Sequence, residues 1–402
     1  MRISTKDIFD PSVLIRNQAD LNKTQIQIST GRRIVSPADD PVGAAEALRL
    51  RQSSDLSAQY QANQQRAQNT LGLAESALGD VTSALEDVRT SVIAASNGTL
   101  SDSDRKSIAQ DIAGRLEQML QSANSANPAG GYLFGGYRDG AAPFCKVGGA
   151  VVYNGDQGGR TLQVTESRAI EVSNNGSSVF EQIKTGNGTF TTSAASTNTG
   201  TGIVGTGQVV DPAALTGHTY QVQFSVVGGV TTYGVVDTTP PGATPVAAGQ
   251  PYTSGSAISF DGVQLSITGK PANSDSFTVA PAASQSVFTT VQNVVKLLNS
   301  STDTAAARSA LANGLAASIT NIDNAYQQVL AVRSSLGSRM QEIDGLQSST
   351  SARDTAVQAQ LSQLEDVDYA AAVSMLSRQQ LVLEAAQKAY VGVTKMSLFS
   401  LL

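Results

Sequence analysis

LGLAESALGDVTSALEDVRTSV, residues 71–92, places an apolar residue at alternating steps of three and four: Leu71, Ala74, Leu78, Val81, Leu85, Val88 and Val92. That rhythm keeps one seam on a single side of an α-helix and predicts a long helix in need of a partner. No proline interrupts the chain between Pro41 and Pro128. One helix over residues 42–96 is therefore expected, about 80 Å long at roughly 1.5 Å per residue.

Working outward, a second seam runs Leu315, Ile319, Ile322, Tyr326 and Val329, is interrupted by Arg333, and resumes at Leu336, Met340 and Ile343. Near the start, Leu14, Leu21 and Ile28 lie seven apart, and near the end so do Tyr369, Leu376, Leu383 and Tyr390, beside Met375, Val382, Ala389 and Met396. Ile108, Ile112, Leu116, Met119 and Ala123 predict a shorter helix over 104–125. The middle obeys another period. In TYQVQFSVVGGVTTYGVV, Tyr220, Val222, Phe224 and Val226 alternate with polar residues and meet Gly228-Gly229, and ISFDGVQLSI repeats the design around Asp261-Gly262; both read as β-hairpins. Residues 185–206, almost all Gly, Ser, Thr, Asn and Ala, are expected to form a loose loop or weak edge strands.

The expected fold class is α+β: a long antiparallel helical bundle or coiled coil formed by both chain ends, with an inserted β-rich domain. An isolated helix is marginal in water, so the two terminal arms are expected to pair. Residues 1–40 plus 360–402 are read as terminal arms, 41–140 plus 283–359 as a helical-bundle domain, and 141–282 as the β-rich insert. Met375 beside Leu376 and Val382 beside Leu383 give the last arm a second apolar column, which a single partner helix cannot cover. Neighbouring subunits are expected to complete it, with the arms disordered in the free monomer and ordered on assembly.

Composition narrows the function classes. The 402 residues include one histidine (His218), one cysteine (Cys145) and no tryptophan, so neither a disulfide framework nor a Cys/His zinc site can be built within the chain. No cofactor and no metal is expected. Net charge is −6 with no basic run, which argues against nucleic acid as a partner. Charged residues are 15% of the chain, against roughly 25% in ordinary soluble proteins, and a surface of uncharged polar groups packs against copies of itself with little ion desolvation. No apolar run reaches the ~20 residues of a membrane span, so no membrane insertion is expected. MRISTKDIFDPSVLIRNQ lacks the apolar core of a cleaved signal peptide.

STGRRIVSPADDPVGAA, residues 29–45, concentrates two arginines and two aspartates between helical segments. Asp39 and Asp40 make a poor catalytic dyad, because sequence neighbours rarely aim at one reacting atom and no base accompanies them. The plain reading is a capped connection, with Ser36 or Asp39 capping the next helix and Pro37 or Pro41 in its first turn. The functional reading adds subunit contacts by Arg32 and Arg33, whose guanidinium groups suit bidentate pairing. GTGIVG, residues 200–205, matches GxGxxG literally but follows no strand and opens no helix. The Asn97-Gly98-Thr99 sequon reflects composition, and His218 is expected on the surface or in a loop. A carbohydrate-active site in the insert would need convergent carboxylates, but Asp211, Asp237, Asp261 and Asp275 are few and mostly at turns.

STGRRIVSPADDPVGAA followed by a heptad helix resembles the N-terminal signature of bacterial flagellin and its relatives, and DVDYAAAVSMLSRQQLVLEAAQKAYVGVTKMSLFSLL, residues 366–402, resembles their C-terminal helix. YLFGGYRDG, residues 132–140, and the ending MSLFSLL are similar to the hook-associated branch of that family rather than to flagellin itself, and FDGVQLSITGKPANSDSFTVAP, residues 260–281, resembles β-modules of hook-associated proteins. The resemblance implies a non-enzymatic structural subunit of the bacterial flagellum, extracellular at the junction of hook and filament and exported unfolded without a cleaved signal peptide. It implies a homo-oligomer in a ring or helical layer, with the other junction protein below, flagellin above, an export chaperone on the C-terminal arm, and the insert facing outward. Flagellin itself, or a secreted adhesin or tip protein using the β insert, remain the alternative readings. Candidate interface residues are Leu14, Leu21, Ile28, Arg32, Arg33, Asp39, Asp40, Tyr369, Leu376, Gln379, Leu383, Tyr390, Val393, Met396 and Phe399. Gln379, with Arg378 beside it, is expected to fix register between subunits, since a polar group in a sealed helical core is costly unless partnered.

Overall fold

The computed structural model describes residues 11–128 and 130–399, with side chains described to residue 392. Seven α-helices are present among the described residues: α1 Pro11–Thr30, α2 Pro41–Ala95, α3 Asp102–Ala123, α4 Gly176–Phe180, α5 Val287–Leu298, α6 Ala305–Glu365 and α7 Tyr369–Phe399. Strands occupy the stretch between α3 and α5. The fold is α+β, with helices from both chain ends flanking a β-rich middle. It divides into two compact units, one of Met1–Gln64 and Gly345–Leu402 and the other of Gln65–Asp344; α2 and α6 contribute to both.

The larger unit has an apolar helical core. Every residue of the first predicted seam, Leu71 through Val92, is buried, and so are Leu315, Ile322, Val329, Leu336 and Ile343 of the second. Side chains bridge α2 to α6 at Glu75–Arg333, Glu86–Tyr326 and Arg89–Asp323. One number rises as the other falls, which fixes the pair as antiparallel. Arg333, which interrupts the apolar rhythm, is held by Glu75 Oε1 at 2.6 Å and donates to Thr82 Oγ1 at 3.3 Å. The exception in the seam is thus a partnered charge. Each fully buried Leu or Val here contributes about 1.5 to 3 kcal/mol.

The short predicted helix is α3, two residues earlier than expected. Ser101 and Asp104 form a reciprocal capping box that starts it, and Asn124 ends it. It packs on α5. Beneath them Phe134, Phe144, Phe180 and Phe288 make a chain of tilted and edge-to-face rings with centroids 5.1 to 5.7 Å apart. Phe134 comes from YLFGGYRDG, so that motif closes the aromatic cluster.

The β-rich part is a two-sheet sandwich with small satellite hairpins. A five-stranded antiparallel sheet runs in the order Thr244–Pro251, Val230–Asp237, Tyr220–Val227, Ser276–Pro281, Phe190–Ala194. Its inner residues Val222, Phe224, Val235, Phe277 and Val279 face Ile258, Phe260, Val263, Leu265 and Ile267 of the second sheet. Both predicted hairpins form, turning at Gly228-Gly229 and Asp261-Gly262, all four with positive φ. Alternation holds for Tyr220, Val222 and Phe224 and lapses at Val226, which is only half-buried near the hairpin end. The Gly/Ser/Thr-rich tract supplies an edge strand, Phe190–Ala194. What orders the rest of that tract is Asp275, 2% exposed, whose carboxylate accepts N–H bonds from Thr199, Gly200 and Ala272 at 2.7 to 3.0 Å. GTGIVG contributes the two-residue strand Ile203–Val204 and opens no helix. A polar row on α6 docks the insert's loops: Asn313 bonds Gly202 and Val204, Asn321 and Asn324 bond Gly186, Gln328 bonds Ser178, and Arg339 bonds Glu171.

Candidate assembly interface

The smaller unit is built from α1, the first part of α2, the last part of α6, and α7. Its helix pair α2–α6 joins through polar groups: Ser54 to Asp354 at 3.0 Å, Gln64 to Thr350 at 3.2 Å, and Arg51 to Glu365 at 2.5 Å. The buried apolar residues described in this unit are the small or β-branched Ala47, Val357 and Ala372.

The connector of residues 31–40 is a tightly bonded turn. Gly31 ends α1 at φ +69, a left-handed conformation that favours glycine, and a Cβ there would stand 3.0 Å from the Tyr369 hydroxyl. The segment between α6 and α7 lies alongside. Val367 N–H donates to Gly31 O at 2.9 Å, Arg33 N–H donates to Glu365 O at 2.6 Å, and Arg32 pairs with Asp366 as an antiparallel bridge. Arg33 adds its guanidinium, donating from Nε and Nη2 to Leu364 O at 3.1 and 2.8 Å and lying 3.3 Å from Asp40 Oδ2. A cation thereby satisfies one carbonyl, Leu364 O, in the last turn of α6, where helices leave acceptors unmet and the dipole favours positive charge.

The aspartates divide their work. Asp40, not Ser36 or Asp39, caps α2: its Oδ1 accepts from Gly43 N–H at 2.9 Å, and Pro41 opens the helix. The position before Pro41 is held out of helical geometry, which makes it the capping residue. Gly43 is needed because a Cβ would meet Asp40 Oδ2 at 2.5 Å. Asp39 instead closes the turn behind it, accepting from Val35 and Ser36 N–H and pairing with Lys23 Nζ at 2.8 Å. The Lys23 hydrogen bond leads in holding the Asp39 carboxyl down at about 2. The Asp40 carboxyl is also lowered, chiefly by the Gly43 N–H. Asp368 caps α7 by accepting from Ala370 and Ala371.

Helices α1 and α7 pack together. From α1, Leu14, Leu21 and Ile28 are half-buried in line with buried Thr24; from α7 the facing stripe is Ala372, Leu376, Gln379, Leu383 and Ala386. The carboxamide oxygen of Gln379 is buried and accepts no hydrogen bond. Arg378 is exposed, because one residue turns the helix about 100° away from that stripe. It is therefore not in a sealed core as the sequence suggested. Met375 and Val382, the second column, are exposed, as are Tyr369 and Tyr390. On α1 and α7, Ile15 and Leu381 are 70% and 67% exposed. The side chains of Val393, Met396 and Phe399 lie outside the described residues.

Sequence reasoning missed Lys23, Arg51, Ser54, Asp354 and Glu365, all charged or hydroxyl residues on helix faces whose partners are remote in sequence. Elsewhere, His218 Nδ1 lies 2.7 Å from Asp237 Oδ2 at a strand end, Asp211 caps a short turn, and Asp261 accepts from the Tyr220 hydroxyl. Among the described residues no group of three His, Cys, Asp or Glu is placed to hold a metal ion, and no helix is long and apolar enough to cross a membrane.

Residues 11–139 match the family profile of the bacterial flagellin N-terminal helical region and residues 319–402 that of the C-terminal helical region; residues 193–281 match the D2-like domain of flagellar hook-associated protein 1. Flagellar hook-associated protein 3 of Escherichia coli (strain K12) is 27% identical over 404 residues, covering 100% of this chain and 99% of that one. The crystal structure of the flagellar junction protein FlgL from Legionella pneumophila has TM-score 0.72 at 31% identity over 80% of this chain and 99% of its own. That of Xanthomonas campestris FlgL has TM-score 0.71 at 33% identity over 76% and 97%. With flagellin-type helices at both ends and a hook-associated β-module between them, the chain belongs to the flagellar hook-associated protein 3 (FlgL) family.

Proposed function

We propose that this chain is a structural subunit of the bacterial flagellum, forming the junction between hook and filament and catalysing no reaction. The observation that carries the reading is the two-sided apolar character of α1 and α7: one side packs within the chain, while Ile15, Met375, Leu381 and Val382 stay exposed. Several large side chains left in water on neighbouring turns mark a surface that another molecule covers. Sister subunits in a ring or helical layer cover it first, with the other junction protein on one side and flagellin on the other. Leu14, Leu21, Ile28, Arg32, Tyr369, Leu376, Leu383 and Tyr390 form or border that interface, together with Val393, Met396 and Phe399. Arg33, Asp39 and Asp40 shape it by holding the connector.

The assembly step is coupled folding and binding. The smaller unit buries few large apolar groups of its own, so arms 1–40 and 360–402 remain loosely structured in the free subunit, pass a narrow export channel without a cleaved signal peptide, and gain order on neighbours. A chaperone on the C-terminal arm shields it before export. The β insert faces outward.

A strain lacking the gene tests this directly. Hooks without filaments, with flagellin shed into the medium, are expected, and the wild-type gene but not a Leu381→Asp, Val382→Asp form should restore filaments. Intact filaments in the deletion strain would sink the junction reading and favour an adhesin or tip role. Long filaments grown from the purified protein alone would favour a flagellin.

A further inference from the structure

The chain contains five Asn-Gly steps, at Asn97, Asn154, Asn175, Asn187 and Asn313. Asn-Gly is the sequence most open to spontaneous deamidation, since glycine leaves the following backbone nitrogen unhindered. Three things then decide the rate: whether that nitrogen is free to attack, whether the departing carboxamide nitrogen is held, and whether anything stabilises the oxyanion that forms.

Four of the five steps are guarded. Gly176 N–H donates to Phe134 O at 2.8 Å, and Gly188 N–H to Thr185 O at 3.2 Å. Asn313 lies inside α6, its Nδ2 bonded to Gly202 O and Ser309 O at 2.9 Å. Asn154 Nδ2 donates to Cys145 Sγ at 2.9 Å, and Gly155 is pressed against the Tyr153 ring. Asn97 differs in the first two respects and shares the third, since the carboxamide oxygens of Asn175, Asn187 and Asn313 also accept N–H bonds. It lies in the exposed connection after α2; neither Gly98 N–H nor Asn97 Nδ2 donates to any group among the described residues, and nothing lies within 4 Å of a Cβ built on Gly98. Its Oδ1 accepts two bonds, from Thr99 N–H at 3.2 Å and Thr99 Oγ1 at 3.0 Å. Donors on that oxygen polarise Cγ and stabilise the negative charge that develops there when a nucleophile adds.

The geometry points to Asn97-Gly98-Thr99 as a self-modification site, at which this protein converts Asn97 to aspartate and isoaspartate ahead of its other asparagines. The Gly98 backbone nitrogen, having lost its proton to base, attacks Asn97 Cγ; the Cγ–Nδ2 bond breaks and ammonia leaves with a proton from solvent, closing a five-membered succinimide. Water then adds to either carbonyl and reopens the ring, giving aspartate or isoaspartate. No redox change occurs. The product places a carboxylate just beyond the C-terminal end of α2, whose last turn has no basic residue to meet it. The isoaspartate form also lengthens the backbone where Leu100 N–H now donates to Asn97 O.

The test is to incubate the full chain, folded, at neutral and mildly alkaline pH and follow each Asn-Gly peptide by mass spectrometry with isoaspartate-specific labelling. Asn97 is expected to convert at least about tenfold faster than any other step, the rate equivalent of one retained protecting interaction, and faster as pH rises. In urea the advantage should vanish. Gly98→Ala, which the open surroundings accept, should suppress conversion with the circular dichroism spectrum unchanged, and Thr99→Val should slow it several-fold. Equal rates at Asn97 and Asn154 in the folded protein, an advantage that survives urea, or a Thr99→Val rate equal to wild type would each overturn the assignment.

Discussion

Two stretches of the same helix pair, α2 with α6, are held together by opposite means. In the larger unit the contact is Leu71, Leu78, Leu85 and Val92 against Leu315, Ile322, Val329 and Leu336, all buried. In the smaller unit it is Ser54 and Gln64 opposite Thr350, Asp354 and Gln358, joined by side-chain hydrogen bonds. Water competes well for hydrogen bonds, whose net worth is about 1 kcal/mol, while each buried leucine contributes about twice that. The same two helices are thus joined by buried apolar side chains in one stretch and by exchangeable polar contacts in the other. The polar stretch belongs to the unit whose α1 and α7 leave Ile15, Met375, Leu381 and Val382 exposed.

The sharpest way to break that contrast is Leu78→Ala. It empties a fully buried site and should cost about 2 to 5 kcal/mol in chemical unfolding, whereas Leu21→Ala, at a half-buried site, should cost only ~1 kcal/mol yet impair filament restoration more. Equal losses would mean that the two units unfold as one. The complementary experiment makes the polar stretch resemble the apolar one. Gln64→Leu with Thr350→Val should stabilise the smaller unit by about 1 to 3 kcal/mol, read as slower proteolysis of residues 1–64 and 345–402, while slowing export. A finer probe is Gln379→Leu, which removes a buried acceptor that bonds nothing; amide exchange in α1 and α7 should slow several-fold as motility falls. Unchanged motility would remove Gln379 from the interface.

The smallest effect concerns pH. Asp39 titrates at about 2 in the folded chain against an ordinary 3.8, so its contribution is complete above about pH 4 and lost as pH falls towards 2. Asp40 shifts in the same direction. Protection of the Val35 and Ser36 amides, which donate to Asp39, measured against their intrinsic exchange rates, should fall across that window in the wild type and be low throughout in Asp39→Asn.

Much of this architecture is legible from spacing. Freedom from proline and an unbroken three-four rhythm locate α2 within one residue of its observed ends, because both signals are local. The β-hairpins are equally plain, since Gly-Gly and Asp-Gly supply the turns. The connector is only half legible. Its cap follows from Asp40-Pro41, but the role of Asp39 depends on Lys23, which reaches it from the preceding helix. The union of Arg33 with Leu364 crosses 331 positions, and no local pattern encodes it. Asn313, Asn321, Asn324 and Gln328 read as mere breaks in an apolar rhythm until the loops they bind are seen.

The bonds that stitch residues 31–33 to residues 364–367 run side by side rather than in series. A pull on either terminus would therefore strain the Val367, Arg33 backbone and Arg33 guanidinium links together, and rupture would be sudden at high force instead of bond by bond. Under the thrashing load of a rotating appendage, such a rivet lets the first and last helices share tension through one common anchor.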